Sequence, residues 1–284
     1  MKIHFSSGIA MYKNRLQLTK LRITLRFQAA SHLPSFVGNT LRGALGRALS
    51  QLCCEWDSPR CDTCNKTAAC VYGAMFKAQS SSSIPNPYVI SAPFPSNGHY
   101  KSGDKLAFFI TLFGSACIFE RDVLSAAESM CTAKLKDAEL VDAVCDYSRQ
   151  WSDEGAESIV PCDKLTVHFM TPTEIRIGGE AITEVDFATL TESLFGRITD
   201  IIGNYTEGEF VLPYRLSVRK PLIQSEYNLK KVHLTTSGQP IDAILGTISY
   251  FGDVTRYLPY IDLGTQLHIG KKTTRGCGEY VFEI

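Results

Sequence analysis

An alternating segment near the N-terminus constrains the fold most strongly. Between residues 16 and 29, LQLTKLRITLRFQA, Leu21 and Phe27 belong to an apolar series at every second position, with Arg22 and Arg26 between its members. This period is typical of a strand with one buried face. Residues 39–52 then place leucine and alanine at helical spacing, so the strand is followed by an amphipathic helix.

The later segments, taken with this first strand and helix, give the element order of a known structural unit. Strand-like YVISAPF and KLAFFITLF, a helix from about Phe119 to Met130 and a strand near 139–147 follow. Strand, helix, strand, strand, helix, strand is the order of a ferredoxin-like unit.

The same order returns after a polar stretch, 148–158, which we interpret as a linker. The second set consists of strand-like LTVHFMTPTEIRI, a helix over about 186–202, strands near 210–218 and 243–251, a short helix near 255–264 and the final strand EYVFEI. We therefore predict an α+β protein with tandem ferredoxin-like (RRM-like) domains. Their bounds are 1–150, with a cysteine insertion at 53–70, and 155–284, with a glycine-rich loop at 270–278.

Length and hydropathy agree with two soluble units. A chain of 284 residues that is 44% hydrophobic can bury two cores. No apolar run approaches the roughly 20 residues of a membrane span, and the start lacks the pattern of a secretory signal. We expect a cytoplasmic protein with no membrane partner.

The cysteine distribution predicts a metal site. Five of the ten cysteines fall within residues 53–70. Cys54, Cys61, Cys64 and Cys70 have the spacing C-x6-C-x2-C-x5-C, with Cys53 as an alternative first ligand, and four such thiolates can close a tetrahedral shell around zinc. With no open position, this zinc is structural and has no part in catalysis. The alternative is a cluster of reduced cysteines.

Charge is unevenly spread although the net charge is zero. Residues 1–54 contain eight Lys or Arg and no acid, whereas residues 120–163 contain eleven acids and four bases. A basic start with an acidic region elsewhere suits a face that binds a polyanion, because phosphate contacts depend on local charge. Arg22 and Arg26 are the candidate contacts on the strand. The alternative is a chance run on a solvated face.

A glycine-rich segment near the C-terminus, HIGKKTTRGCGEY, offers a second basic region. Glycines let the backbone approach a phosphate, successive N–H groups can form an anion nest, and cationic side chains can close around it. The segment matches neither the phosphate-binding loop GxxxxGK[ST] nor a dinucleotide-binding GxGxxG, so a nucleotide cofactor is disfavoured. The candidate phosphate-binding residues here are Gly270, Lys271, Lys272, Thr273, Thr274, Gly276 and Gly278.

Several of these segments together resemble one family. LPSFVGNTLRGALGRAL, the cysteine cluster, CVYGAMF, YKSGDKLAFFITLFG and IGKKTTRGCGEY, in this order, are similar to the CRISPR-associated pre-crRNA-processing endoribonucleases, a branch of the RAMP superfamily. The resemblance implies tandem ferredoxin-like domains that bind CRISPR repeat RNA and cleave it without a metal, through attack of a 2′-hydroxyl. It also implies the mature crRNA and other CRISPR effector subunits as partners.

Such cleavage needs a base, an acid and cations that stabilise the transition state. His32 is the first candidate for acid or base, since relatives place their catalytic histidine in this neighbourhood; its alternative role is to cap the following helix. Zinc-bearing relatives have a histidine in the first helix where this chain has Arg47. Type IV relatives depend on arginines, which puts forward Arg26, Arg42, Arg47 and Arg275 as electrostatic groups.

Two other functions stay open. One is a catalytically inactive RAMP subunit that binds crRNA as architecture, which the missing helix histidine favours. The other is a zinc-ribbon protein that engages DNA or a protein. Among the remaining histidines, His268 is a candidate RNA contact, His168 is predicted to be a satisfied core residue or to lie on a sheet face, and His99 has no neighbour in the sequence that supports a role.

Overall fold

The computed structural model describes residues 14–55, 60–67, 69–77, 84–131, 135–153, 160–208, 210–211, 223–236 and 239–284. The first unit contains β1 (Arg15–Phe27), β2 (Ser31–His32), α1 (Gly38–Cys53), β3 (Tyr88–Ser91), β4 (His99–Tyr100), β5 (Lys105–Phe113), α2 (Glu120–Ala126) and β6 (Ala138–Ser152). The second contains β7 (Lys164–Thr173), β8 (Arg176–Ile177), β9 (Glu180–Ala181), α3 (Phe187–Tyr205), β10 (Gln224–Thr236), β11 (Gln239–Phe251), α4 (Leu258–Leu267) and β12 (Tyr280–Glu283).

Both units have the same sheet topology. The first sheet has the strand order β3-β5-β1-β6 and the second β10-β11-β7-β12, and all neighbours are antiparallel. In each sheet the first and third main strands are central and the second and fourth are at the edges. This is the ferredoxin-like arrangement, so the predicted α+β tandem fold is confirmed.

The two faces of β1 serve different cores. Leu21, Leu25 and Phe27 are buried beneath α1, as the alternation predicts. Leu16 and Leu18, which lie at even positions, pack instead in the core of the second unit. The two units are therefore joined by a shared apolar core and not only by the chain between them.

Two segments differ from their predictions. Ser148–Ser152 belongs to β6, where it pairs with the start of β1, so the polar stretch predicted as a linker begins as strand. Its polar residues are compatible with an edge strand, because only one face of such a strand needs to be buried. The strand predicted near 210–218 lies mostly outside the described residues, whereas β10, which was not predicted, pairs with β11 along its whole length.

In the part of the chain that the structure describes, no helix is long and apolar enough to cross a membrane.

Candidate functional site

The start of α1 and the glycine-rich loop meet at Gly38. A Cβ atom at this position would lie 2.0 Å from the carbonyl oxygen of Arg275, inside any permitted contact, so the two backbones can touch only because residue 38 is glycine. Gly276 also faces the α carbon of Gly38. The start of α1 and the C-terminal glycine-rich loop are thus brought to one place.

Arg42 and Arg275 lie close together at this junction. The Arg42 guanidinium lies over the Phe76 ring, 5.1 Å from its centroid, and its Nε is buried without a hydrogen-bond partner among the described residues. Burial and the neighbouring Arg42 cation lower the pKa of Arg275. The buried Tyr88 phenol completes the group: burial raises its pKa, and the cation of Arg42 opposes that rise. Two adjacent guanidinium groups of this kind favour an anion between or beside them.

The glycine-rich loop is held by its own backbone. Gly270, Gly276 and Gly278 have positive φ, and Lys272 is left-handed as well. At Gly278 a Cβ would lie 1.9 Å from the carbonyl oxygen of Ile269. The glycines are required for this tight fold.

The backbone N–H groups of the loop are largely used inside the protein. Those of Lys271, Arg275, Gly276, Cys277 and Gly278 each donate to a protein carbonyl. The predicted anion nest therefore loses these five donors, because a donor already bonded to a protein carbonyl is not available to a phosphate. The cationic side chains and the other N–H groups of the loop are left to bind an anion.

A buried carboxylate binds the side chain of Lys272. Glu174 is 1% exposed and contacts both the Lys272 ammonium and, at 2.5 Å, the Arg176 Nε. Lys272 is therefore placed to hold the loop and not to contact RNA. Thr273 is likewise held within the protein, since the half-buried Arg197 donates to its hydroxyl over 3.0 Å. Lys271 is exposed and Thr274 is half-buried.

His268, predicted as an RNA contact, is instead a buried link between the two units. Its Nδ1 donates to the carbonyl of Cys277 over 3.1 Å, and its Nε2 accepts from the Ser91 hydroxyl on β3 over 3.0 Å. Burial lowers its pKa to about 3, so the ring is neutral. His168 does lie on the sheet face as predicted, beside Thr247.

The basic strand lies beside the acidic region and not apart from it. Arg22 is 3.2 Å from the Asp142 carboxylate, and Arg26 donates to Glu139 over 2.8 Å. Both acids lie on β6, which pairs with β1. The expected separation of basic and acidic faces is therefore wrong for these two arginines, because antiparallel pairing brings the segments together.

His32 lies on the two-residue strand β2, directly opposite His99 on β4. The two rings are in contact, with centroids 4.5 Å apart. The sequence analysis did not predict this contact, because His99 is distant from His32 in the sequence. Only the register of this short ladder brings the two together. Arg47 is exposed on α1.

The clustered cysteines line one cavity of about 330 Å³, which includes Cys53, Cys54, Cys61, Cys64 and Cys70. The sulfur atoms of Cys53 and Cys70 are 3.2 Å apart, and burial, with this contact, raises the pKa of Cys53 to about 12. Within the described residues no three donors are placed closely enough for one metal ion. The donor chemistry of the cavity nevertheless suits zinc, since thiolates are among its preferred ligands.

Tandem ferredoxin-like units with a glycine-rich loop against the first helix make up a RAMP-like fold. The model of the family described as CRISPR-associated endoribonuclease Cas6 matches residues 167–280. A second family model, the AF_1859 N-terminal domain, matches residues 16–143.

One relative and several solved structures are similar to this chain over nearly its whole length. An uncharacterised protein of Archaeoglobus fulgidus is 24% identical, covering 93% of this chain and 96% of its own. Thermus thermophilus Cas6 is similar in structure, with a TM-score of 0.63 and 14% identity, covering 94% of this chain and 99% of its own. An RAMP protein binding different RNA substrates has a TM-score of 0.56 and 13% identity, covering 94% and 100%. Residues 167–280 therefore match the Cas6 endoribonuclease model, and the chain has the fold of the solved Cas6 structures over nearly its whole length.

Proposed function

We propose that this chain binds CRISPR repeat RNA and cleaves precursor crRNA to its mature form. The observation that carries the proposal is the meeting of Arg42 and Arg275 at the Gly38 contact, in a chain with a Cas6 endoribonuclease domain. Similar structures have been solved as RNA complexes, including a Cas6 product complex with a TM-score of 0.63.

The reaction we infer is attack of a ribose 2′-hydroxyl on the adjacent phosphorus, with no metal in the chemical step. Negative charge grows on the phosphate oxygens in the transition state, and Arg42 and Arg275 are the cations that would stabilise it. His32 supplies acid or base catalysis. Exposed Arg47 and Lys271 would contact the RNA backbone beyond the scissile phosphate.

A cleavage assay with a synthetic repeat from the CRISPR array beside the gene tests this. In EDTA we expect one discrete cut, a 5′-hydroxyl fragment and a 2′,3′-cyclic phosphate. A 2′-deoxy nucleotide at the scissile position should abolish the cut, and cleavage that survives this substitution contradicts the mechanism.

Paired variants test the role of the junction. Arg42→Ala should lower the cleavage rate by about 10²–10³-fold, the usual loss on removing one stabilising group. Arg22→Ala is the matched control, since Arg22 is already paired with Asp142. Equal losses in the two variants would contradict a special role for the junction.

The alternative is an inactive RAMP subunit that holds crRNA. Helix α1 contains no histidine, which favours this second function. Tight binding of repeat RNA that stays intact after long incubation would establish it in place of the first.

We further propose that the cysteine cavity holds a structural zinc ion. Cys61, Cys64 and Cys70, with Cys53 or Cys54, would hold the metal, which would brace the segment after α1. Elemental analysis of protein purified without added metal should give about one zinc per chain. Cys70→Ser should lose it and exposed Cys145→Ser should keep it, whereas equal zinc in all three proteins, or none in the wild type, overturns the assignment.

Partners and location follow from the same function. A structurally similar chain, of which this one covers 46%, was solved in a Cas6-RT-Cas1–Cas2 complex. We propose that this protein likewise acts in the cytoplasm beside other CRISPR proteins. Co-purification of a tagged chain with crRNA and such proteins is the measurement that checks it.

A further inference from the structure

The proposed function gives a role to His32 but none to its neighbour His99. The two residues are directly opposite in the β2–β4 ladder. Their ring centroids are 4.5 Å apart, with 37° between the ring planes. Both side chains are exposed. A substrate could therefore reach both imidazoles at once.

The backbone beneath the pair is well fixed. The Leu33 N–H donates to the carbonyl of Gly98 over 2.8 Å, and the Ser96 N–H donates to that of Ser35 over 2.8 Å. Tyr100, next to His99, stacks on the buried Phe27 with ring centroids 4.3 Å apart. These contacts hold two segments, 31–35 and 96–100, at a constant separation, so the ring contact follows from the fold.

The same segment leads to the arginine junction. After His32 the chain runs through buried Phe36 and Val37 into Gly38, the residue that touches Arg275. The Phe36 ring also faces Gly276. His32 and the Gly38 contact therefore stand at the two ends of one short segment of chain.

We propose that His32 and His99 form an acid–base couple for RNA cleavage, an inference that rests on the proposed function. One imidazole removes the 2′-hydroxyl proton as the 2′-oxygen forms a bond to phosphorus. The protonated partner donates its proton to the 5′-oxygen as the bond from phosphorus to that oxygen breaks. One proton is taken up and one released, so exchange with water restores the couple and no further reactant is needed.

Two adjacent imidazoles are also possible ligands of a transition-metal ion. A tetrahedral site requires further donors, and the described residues contain no group of three or more that could hold an ion. Cleavage in EDTA separates the two roles, since a metal-dependent pair would lose its activity there.

Single-turnover cleavage of repeat RNA by four variants tests the couple. His32→Ala, His99→Ala and His99→Gln should each lose about 10²–10⁴-fold in rate, with unchanged binding of a 2′-deoxy repeat. His168→Ala, which lies on the face of the second sheet, is the control and should cleave like the wild type. Thermal melts of the His32 and His99 variants should match that of the wild type, because both side chains are exposed.

A sulfur leaving group distinguishes the acid from the base. When the 5′-bridging oxygen is replaced by sulfur, the leaving thiolate needs no proton, so the variant lacking the acid should recover most of its lost rate while the other stays slow. A purely structural role would not produce this rescue. If neither variant recovers, the couple is refuted.

The outcomes separate the inference from the proposed function. If the wild type leaves repeat RNA intact, both fall together. If the wild type cleaves and the His99 variants cleave equally well, the inference alone is overturned.

Discussion

Replacing Gly38 by alanine probes the contact on which the site depends. The new methyl group would lie 2.0 Å from the Arg275 carbonyl oxygen and 2.8 Å from its carbon. Both neighbours are backbone atoms, so no side-chain rotation can make room. Either the start of α1 or the glycine-rich loop must move by about 1.4 Å to restore an ordinary contact.

The substitution has two opposing effects on the free energy of unfolding. Overpacking of this kind costs about 1–3 kcal/mol, and the upper value applies where only backbone can yield. Alanine favours a helix over glycine by at most about 1 kcal/mol, and by less at the first residue. The net loss is about 2 kcal/mol, which lowers Tm by about 4–8 °C in a protein of this size.

Gly43→Ala in the same helix is the matched control. Its Cβ would meet only the Arg47 Nη1, at an ordinary 3.7 Å. We expect it to gain about 1 kcal/mol from helix propensity. Thermal and urea unfolding measure both variants, and repeat cleavage should fall in Gly38→Ala because Arg42 and Arg275 separate. A Gly38→Ala protein as stable as Gly43→Ala would refute the contact.

Two further predictions concern the buried polar groups behind the loop. Glu174→Gln leaves Lys272 and Arg176 without their anion and should cost about 3 kcal/mol, seen as a lower midpoint in urea, while an unchanged midpoint would show that the ion pairs are dispensable. For His268 the folded-state pKa, about 3, is below the ordinary 6.5. Unfolding therefore takes up a proton below pH 6.5, and stability should fall on acidification towards pH 4 by up to about 1.4 kcal/mol per pH unit. His268→Leu should lack this part of the slope, whereas identical slopes would contradict the neutral buried ring.

The fold could be predicted well from local periodicity. The alternation from Leu21 to Phe27 is preserved because one face of β1 must cover α1, and the final glycine-rich turn precedes β12 as expected. Local periodicity could not distinguish strand from linker at Ser148–Ser152, since polar residues suit both. It also missed β10, whose strand identity depends on pairing with β11.

The site was less predictable because its contacts are long-range. Arg42 and Arg275 were both candidates, but nothing local places them together; the close approach at Gly38 does so. Lys272 has the positive charge expected of a phosphate contact, yet Glu174, far away in the sequence, forms an ion pair with it. His99 had no supporting neighbour in sequence, and its partner His32 becomes visible only in the register of a two-residue ladder.

The placement of acids explains how a neutral chain can still present a cationic site. Exposed pairs such as Arg22 with Asp142 contribute little to stability, about 0–1 kcal/mol. Their main effect is to reduce the attraction of Arg22 and Arg26 for phosphate, because each acid lies within contact distance of its arginine. Arg42 lies instead against the Phe76 ring, which leaves its charge uncompensated by any carboxylate contact in the described residues. Net charge and the length of a basic run therefore say little about the location of the proposed RNA contact, whereas the pairing of individual arginines favours the junction at Gly38.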